Sequence, residues 1–265
     1  MGVFFLNFIS PPPCIIIVMD TSNMDIVYCL KNGETSDELR YSLRSLKNLP
    51  HRNVWFYGGC PTWATNVHHV YANQTGTKWQ NSTRMLYAAS LNENITKNFV
   101  WFNDDFFVWN PVKKLEYWYD RTLEQRAADF RTPLMDTSRY GLLLLDVANE
   151  LKQQGKKTVN YALHIPLIFN RYKFAKMVQK YPQAVPGRSL YCNEYEVGGK
   201  QHDDVKVYDN MSLVPPRSLF ASTSNKSFRL GKVGQQIKER FPDLCEYEKF
   251  GVGGPYSATP FFKGR

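Results

Sequence analysis

The sequence lacks the motifs of several large enzyme classes. Its 265 residues contain no P-loop, no glycine triplet of the dinucleotide-binding type, no HExxH motif and no hydrolase-like order of Ser, His and Asp, so kinase, dehydrogenase and hydrolase functions have no support. Its five cysteines are scattered and form no CxxC pair, so neither a zinc site nor a disulfide framework is indicated. A reducing compartment, the cytoplasm, is the expected location.

Long apolar runs are also missing. Residues 1–23 are apolar, but they lack a basic leading segment and are interrupted by three prolines starting at Pro11, which argues against a signal peptide. No other segment approaches the ~20 apolar residues of a membrane span. We expect residues 1–23 to be an extension outside the core, residues 24–250 to form one domain, and residues 251–265 to be a flexible tail.

Positive charge and aromatic rings are abundant instead. The chain has 33 Lys and Arg against 24 Asp and Glu, a net charge of +9, and an aromatic content of 15%. A basic surface attracts polyanions such as nucleic acid, anionic envelope polymers or a phosphorylated donor. Charge alone does not choose among these partners.

Apolar and amphipathic segments alternate in the first half of the chain. The pattern predicts strands over residues 24–30, 53–59, 68–73 and 99–109 and helices over residues 36–49 and 82–92. Helices are predicted in the second half over residues 112–130, 139–155, 173–181 and 231–241, around an irregular stretch at 182–227. This order is typical of an α/β fold with a mainly parallel central sheet and a helical C-terminal half.

An acidic pair lies in the aromatic segment FVWFNDDFFVW, residues 99–109. Burying two unpaired carboxylates would cost several kcal/mol, so we expect the strand to deliver Asn103, Asp104 and Asp105 to a cleft at the carboxyl edge of the sheet. Adjacent carboxylates suit Mg²⁺ or Mn²⁺, which in turn binds a nucleotide diphosphate. This is the chemistry of the DxD signature of nucleotide-sugar transferases. The alternative is a turn with local hydrogen bonds.

Two arginines follow on the first predicted helix. Arg40 and Arg44 are spaced i,i+4 and so lie on one helical face, close in sequence to Asp25 on the first strand. Two guanidinium groups on one face could clamp a diphosphate. Ordinary surface arginines are the alternative.

A polar loop, GTKWQNSTR (76–84), leads into the second predicted helix. Asn81 or Ser82 is expected to cap that helix, and a helix N-terminus also favours phosphate. Capping alone is the simpler interpretation.

Two further histidines are candidates. His164 stands in the apolar run YALHIPLIFN, where it is either a core residue or a catalyst. His202 precedes a second acidic pair, in which Asp203 or Asp204 could be the general base for an acceptor hydroxyl, while His202 could complete a metal site. A plain charged loop is the alternative.

Taken in order, these segments resemble the Stealth family of sugar-phosphate transferases, and more closely its bacteriophage-encoded relatives labelled glycosyltransferases. The resemblance spans residues 25–249 and lies in DIVYCLKNG, DELRYSLRSLKNLPHRNVWFYG, TKWQNSTRMLYAAS, FVWFNDDFFV, HIP and GKVGQQIKERFPDLCEYEK.

The resemblance implies a GT-A-like fold that binds a nucleotide sugar, most simply a UDP-sugar, in the host cytoplasm. It implies places for Asp25, Arg40, Asn81, Ser82 and the Asn103–Asp105 segment in the family's conserved blocks, and it matches His164 to the histidine of an HxP motif. Where Stealth enzymes carry a second NDD, this chain reads STSNKSF (222–228). That departure favours transfer of the sugar itself over transfer of a sugar 1-phosphate.

The acceptor stays open at the level of sequence. Basic charge and the phage-type resemblance favour hydroxylated bases of modified DNA, with a glycan or a virion protein as alternatives. A function of another class is a non-catalytic nucleic-acid-binding module, with rings stacking on bases. That interpretation leaves both acidic pairs without a purpose.

Overall fold

The computed structural model describes residues 18–33, 36–131, 138–182 and 187–250. Its strands are β1 (Val18–Asp20), β2 (Asp25–Leu30), β3 (Val54–Gly58), β4 (His68–Val70), β5 (Asn98–Phe102), β6 (Phe106–Val108), β7 (Lys114–Glu116), β8 (Trp118–Tyr119), β9 (Leu167–Asn170), β10 (Lys200–Gln201), β11 (Lys206–Val207) and β12 (Phe220–Thr223). Its α-helices are α1 (Asp37–Ser45), α2 (Lys78–Leu91), α3 (Leu123–Ala128), α4 (Arg139–Gln153), α5 (Arg171–Lys180), α6 (Gly187–Glu194), α7 (Asn225–Leu230) and α8 (Lys232–Arg240).

A five-stranded sheet forms the centre of the molecule. Its order is β4-β3-β2-β5-β9, and every pairing is parallel except that of β9 with β5. Strands β2 and β3 are almost wholly buried, which explains their continuous apolar sequences, because a parallel strand is covered on both faces. The predicted α/β class with a mainly parallel central sheet is confirmed.

A second, three-stranded sheet begins where β5 ends. Strand β6 leaves the central sheet and pairs antiparallel with β12, which in turn pairs with β11. Helix α1 holds β6 in place, because Ser42 Oγ donates to Phe106 O at 2.6 Å and Ser45 Oγ accepts from Val108 N at 3.0 Å. The segment Asn103–Asp105 is therefore the link between two sheets.

Helices cover the sheets and share one large apolar core. Helix α2 packs on β2, β3 and α5, while α4 packs on α3 and α6. A smaller cluster joins the second sheet to α7 and α8 through rings including Phe107, Trp109, Phe228 and Phe241. Among the described residues, no helix has the length and apolarity needed to traverse a bilayer.

Part of the predicted N-terminal extension belongs to the fold. Strand β1 pairs antiparallel with β7, and the buried Thr21 donates its hydroxyl to Pro50 O at 2.6 Å. The predicted start of the domain near residue 24 is therefore several residues too late. Residues 1–17 and the predicted tail at 251–265 lie outside the described residues.

Four predicted segments differ in extent from the structure. The strand over 99–109 is broken at the acidic pair, and helix α2 begins before the predicted position 82. The helix over 112–130 contains only α3, because its first half forms β7 and β8, which pair with distant β1 and β10. The irregular stretch at 182–227 includes α6 and three short strands.

Candidate functional site

The acidic pair lies in the turn between β5 and β6, at the carboxyl edge of the central sheet. Phe106 N donates to Asn103 O at 3.3 Å and closes the turn. Asp104 lines a small cavity with Leu30, the last residue of β2, with Gly59, which follows β3, and with Ser36 before α1. Asp104 therefore faces a small cavity at this edge of the sheet.

Asp104 is in an environment that disfavours its charge. Burial and the neighbouring charge of Asp105 raise the pKa of Asp104 to about 6, against the opposing effect of a hydrogen bond with Ser36. A cation bound next to Asp104 would therefore stabilise its ionised carboxylate.

Asp105 already has a cationic partner. Lys206 Nζ, from β11, lies 2.7 Å from Asp105 Oδ2, and the two side chains are only 14% and 15% exposed. Burial lowers the pKa of Lys206, but the charge and hydrogen bond of Asp105 outweigh burial and hold that pKa above its usual value. The second oxygen, Asp105 Oδ1, is buried and has no hydrogen-bond partner among the described residues.

A third carboxylate, which sequence analysis missed, stands beside the pair. Glu38 is buried on α1 and accepts a hydrogen bond from Thr223 Oγ1 at 2.7 Å. Burial raises the pKa of Glu38 to about 7, and the charges of Asp105 and Asp104 act in the same direction. The available signal was the spacing of Glu38 with Ser42 and Ser45, which places polar groups on the buried face of α1.

His164 and Asp204 form a second unit of the site. Asp204 Oδ2 lies 2.8 Å from His164 Nδ1, and Asp204 Oδ1 accepts from the backbone N–H groups of His164 at 3.1 Å and of Lys206 at 3.3 Å. Burial raises the pKa of Asp204, but the contacts with His164 outweigh burial and hold that pKa below its usual value. Arg126 Nη2 adds a longer contact at 3.7 Å. Asp204 therefore stays ionised and orients the imidazole.

The segment 204–206 connects the His164–Asp204 pair to the acidic turn. Asp204 faces His164, while Lys206, two residues later, faces Asp105. His164 is also in edge contact with the rings of Phe106 and Tyr208. Asp203, the other candidate for the base, is exposed and does not share this environment.

A buried arginine, also missed by sequence analysis, supports the His164 loop. Arg188 on α6 donates from Nη1 to Leu163 O and, at 2.9 Å, to Ile165 O, the carbonyls on either side of His164. Its guanidinium lies over the Trp101 ring at 4.2 Å. Burial lowers the pKa of Arg188 to about 10, opposed by nearby charges that include Asp105 and Asp204. A lone Arg in a helix gives no sequence signal for this role.

The two predicted arginines share a face, but Glu248 is their partner. Arg40 Nη1 lies 3.0 Å from Glu248 Oε1, and Arg44 contacts both carboxylate oxygens of Glu248 through Nε at 2.7 Å and Nη2 at 2.9 Å. Arg40 also stacks over the Trp63 ring at 4.1 Å. These contacts form a clamp, made of Arg40, Arg44 and Glu248, that joins α1 to the chain beyond α8. The guanidinium groups are therefore paired with a carboxylate in this structure.

Helix α2 is capped by a residue other than the predicted ones. Thr77 is the N-cap, and its hydroxyl and the side chain of Gln80 form a capping box. Asn81 lies in the first turn and bonds both backbone groups of Gly76, at 3.0 Å to the N–H and 2.9 Å to the carbonyl. Ser82 lies inside the helix. The predicted capping by Asn81 or Ser82 is therefore wrong.

Asp25 lies at the opposite edge of the sheet from the acidic pair. It is the first residue of β2, fully buried, and its carboxylate accepts from Asn53 N at 3.2 Å and Thr96 N at 3.0 Å while pairing with Arg52 at 3.3 Å. These contacts tie the amino ends of the strands together. Asp25 is accordingly left out of the site.

The predicted metal ligands Asp104, Asp105 and His202 are not assembled. His202 stacks on the Trp118 ring with 3.9 Å between centroids, and burial lowers its pKa. No group of three or more His, Cys, Asp or Glu side chains in the described ranges is arranged to hold a metal ion. Since Lys206 rather than His202 faces Asp105, the residues as placed do not fit a divalent cation, which takes several oxygen ligands.

Comparison with known proteins gives structural likenesses only. No protein-family model matches the chain, and no curated protein gives a match, so the resemblance to the Stealth family stays a prediction. The galactosyltransferase LgtC, solved with donor and acceptor sugar analogs, shares 11% identity at a TM-score of 0.47, over 85% of this chain and 98% of LgtC. The apo-form glycosyltransferase GlyE of Streptococcus pneumoniae TIGR4 shares 9% identity at a TM-score of 0.39, over 82% of this chain and 60% of GlyE. Values this low do not bear on activity, which has to be argued from the site.

Proposed function

We propose that this chain is an enzyme, a glycosyltransferase of GT-A-like fold that moves a sugar from a nucleotide-sugar donor to an acceptor hydroxyl. The observation that carries the proposal is the juxtaposition of the acidic turn with an oriented histidine. Segment 204–206 brings His164–Asp204 and Asp105–Lys206 to one edge of an open α/β sheet, the edge where such folds bind ligands.

His164 is the general base in this proposal. Its Nδ1–H donates to Asp204, which leaves Nε2 as the atom that accepts a proton. The acceptor hydroxyl gives its proton to Nε2 as its oxygen bonds to C1 of the sugar, and the bond from C1 to the diphosphate oxygen breaks. The nucleoside diphosphate leaves. This assignment moves the predicted base from Asp203 or Asp204 to His164, because the carboxylate of Asp204 is occupied in holding the ring.

The donor binds, in this proposal, at the carboxyl edge of the central sheet around Asp104. Asn103, Asp104 and the cavity beside Gly59 are the candidate donor-binding groups, with a UDP-sugar as the first donor to test. The predicted Mg²⁺ or Mn²⁺ does not fit the residues as placed, so no step is assigned to it. Diphosphate binding by Arg40 and Arg44 would require release of Glu248.

The acceptor is proposed from charge together with the phage-type resemblance. A net charge of +9 suits a polyanionic acceptor, and the resemblance makes DNA with hydroxylated bases the first one to test, ahead of a glycan or a virion protein. DNA binding should weaken steeply with salt, because counterions are released when phosphates are neutralised.

Mass spectrometry tests the proposal directly. The protein is incubated with a panel of nucleotide sugars and three acceptors: DNA carrying hydroxymethylated bases, a glycan and a protein. A sugar increment on one acceptor, with release of the nucleoside diphosphate, supports glycosyl transfer. An increment larger by one phosphate, with release of the nucleoside monophosphate, supports the sugar-1-phosphate alternative instead. Failure of every donor to bind and react contradicts both.

A further inference from the structure

Three carboxylates and one ammonium group meet at the acidic turn. Asp104, Asp105 and Glu38 interact electrostatically with one another and with Lys206. Three carboxylates so close would repel one another and an incoming diphosphate unless a cation stood among them. The ammonium group of Lys206 stands there, in direct contact with Asp105.

Lys206 is held in this position by the fold. It opens β11, pairs in register with Ser222 of β12, and its backbone N–H donates to Asp204 Oδ1 at 3.3 Å. Its side chain is largely buried, and Nζ ends 2.7 Å from Asp105 Oδ2. A lysine fixed at both its backbone and its ammonium group is a permanent part of the site.

An ammonium group can do part of what a divalent cation does. It carries three N–H donors, of which Asp105 takes one, so the others can be donated to phosphate oxygens. It is also a compact point charge, which suits a phosphate.

We propose that Lys206 is the resident cation of the acidic turn, and that this site takes a nucleoside diphosphate without a divalent metal ion. The proposal rests on the proposed function, because it assumes that the acidic turn is where the donor binds. It departs from the sequence-based expectation of Mg²⁺ or Mn²⁺.

Two calorimetric titrations test the proposal. In the first, Mn²⁺ alone is titrated into the wild type, into Lys206→Ala, and into the control Lys200→Ala, which removes a lysine from a surface pair with Glu116. We expect no saturable Mn²⁺ binding in the wild type or the control, and binding in Lys206→Ala, because the freed carboxylates can then take the ion. Tight Mn²⁺ binding by the wild type overturns the proposal, whether or not any nucleotide binds.

In the second, UDP is titrated in the presence of a chelator and again with Mn²⁺. The wild type should bind equally well in both, whereas Lys206→Ala should lose roughly 10- to 100-fold in affinity with chelator present and recover part of it with Mn²⁺. Binding by the wild type only with Mn²⁺, unaltered in Lys206→Ala, overturns the proposal. If neither UDP nor the nucleoside diphosphate of any other donor in the panel binds any variant in either buffer, the proposed function fails instead. The Mn²⁺ titration still decides the role of Lys206.

A second variant separates a loss of folding from a loss of UDP binding. Lys206→Met combined with Asp105→Asn removes both charges and leaves no unpaired buried ion. Circular dichroism of this double variant should match the wild type. Its UDP affinity with chelator should fall as in Lys206→Ala, and affinity equal to that of the wild type overturns the proposal.

Discussion

Arg44 makes a bidentate contact with the carboxylate of Glu248, with Nε 2.7 Å from Oε2 and Nη2 2.9 Å from Oε1. The Glu248 side chain is fully buried, and Arg40 contacts the same carboxylate. The charge of Glu248 is therefore shared by two guanidinium groups on one face of α1. We interpret the clamp as the element that fixes the chain after α8 against α1.

Replacing Glu248 should destabilise the protein strongly. Glu248→Gln leaves Arg40 and Arg44 without a counter-charge, and breaking a buried pair by removing one partner costs about 3–5 kcal/mol. Urea denaturation measures the change, and Glu239→Gln, an exposed carboxylate on α8, should shift the free energy of unfolding by less than about 0.5 kcal/mol. If the arginines serve a diphosphate instead, Arg40→Gln would weaken UDP binding and leave stability nearly unchanged.

Glu38 should make stability depend on pH. Its pKa is raised from 4.5 to about 7 in the folded state, so the folded protein binds its proton more tightly than the unfolded chain does. The resulting stabilisation is complete below about pH 4.5 and is lost as the pH rises through about 7, on the order of 3 kcal/mol in total. As the pH rises through this range, the free energy of unfolding of the wild type should fall relative to that of Glu38→Gln by about this amount.

The control for this experiment is the adjacent Asp37→Asn, because Asp37 is exposed on the same turn. It shows how removing a charge from an exposed neighbouring carboxylate changes the free energy of unfolding over the same pH range. A pH-independent difference between Glu38→Gln and the wild type would contradict the raised pKa of Glu38.

Arg188 should matter for stability through the backbone it holds. Arg188→Lys keeps a positive charge but cannot span Leu163 O and Ile165 O, and a buried carbonyl left without its donor costs about 1–3 kcal/mol. Chemical denaturation should show this loss, whereas Arg229→Lys on the exposed face of α7 should be nearly neutral. The His164 ring resonances in the NMR spectrum should also shift in Arg188→Lys. Unshifted resonances would mean that the loop does not depend on Arg188.

The parts of this fold that could be predicted from sequence are those that local patterns determine. The parallel strands β2 and β3 were evident as apolar runs, and α1 as an amphipathic helix. The acidic pair was placed at the carboxyl edge because burial of two unpaired charges is too costly for any other position. These inferences need no knowledge of distant contacts.

The parts that sequence could not give are pairings across long separations. Lys206 meets Asp105 across 101 positions, Thr223 meets Glu38 across 185, and Glu248 meets Arg44 across 204. Neither member of such a pair carries a local signal for the other. The contacts of Arg40 and Arg44 with Glu248 and of His202 with Trp118 were not foreseen for this reason. Each residue type suited the binding of charge, but its partner in the fold was unknown.

The His164–Asp204 pair gives the most direct test of the proposed chemistry. If Asp204 orients the ring and His164 takes the proton, Asp204→Asn and His164→Ala should each lower kcat roughly 10²- to 10⁴-fold, the usual worth of general base catalysis. UDP affinity should stay near that of the wild type, because neither group is assigned to the donor. Added imidazole should restore part of the activity of His164→Ala but none of that lost in a donor-site variant such as Asp104→Asn.

The exposed neighbour Asp203 provides the matched control, and Asp203→Asn should retain kcat within about twofold. A large loss in Asp203→Asn with little loss in Asp204→Asn would return the base to Asp203 and leave His164 a structural residue.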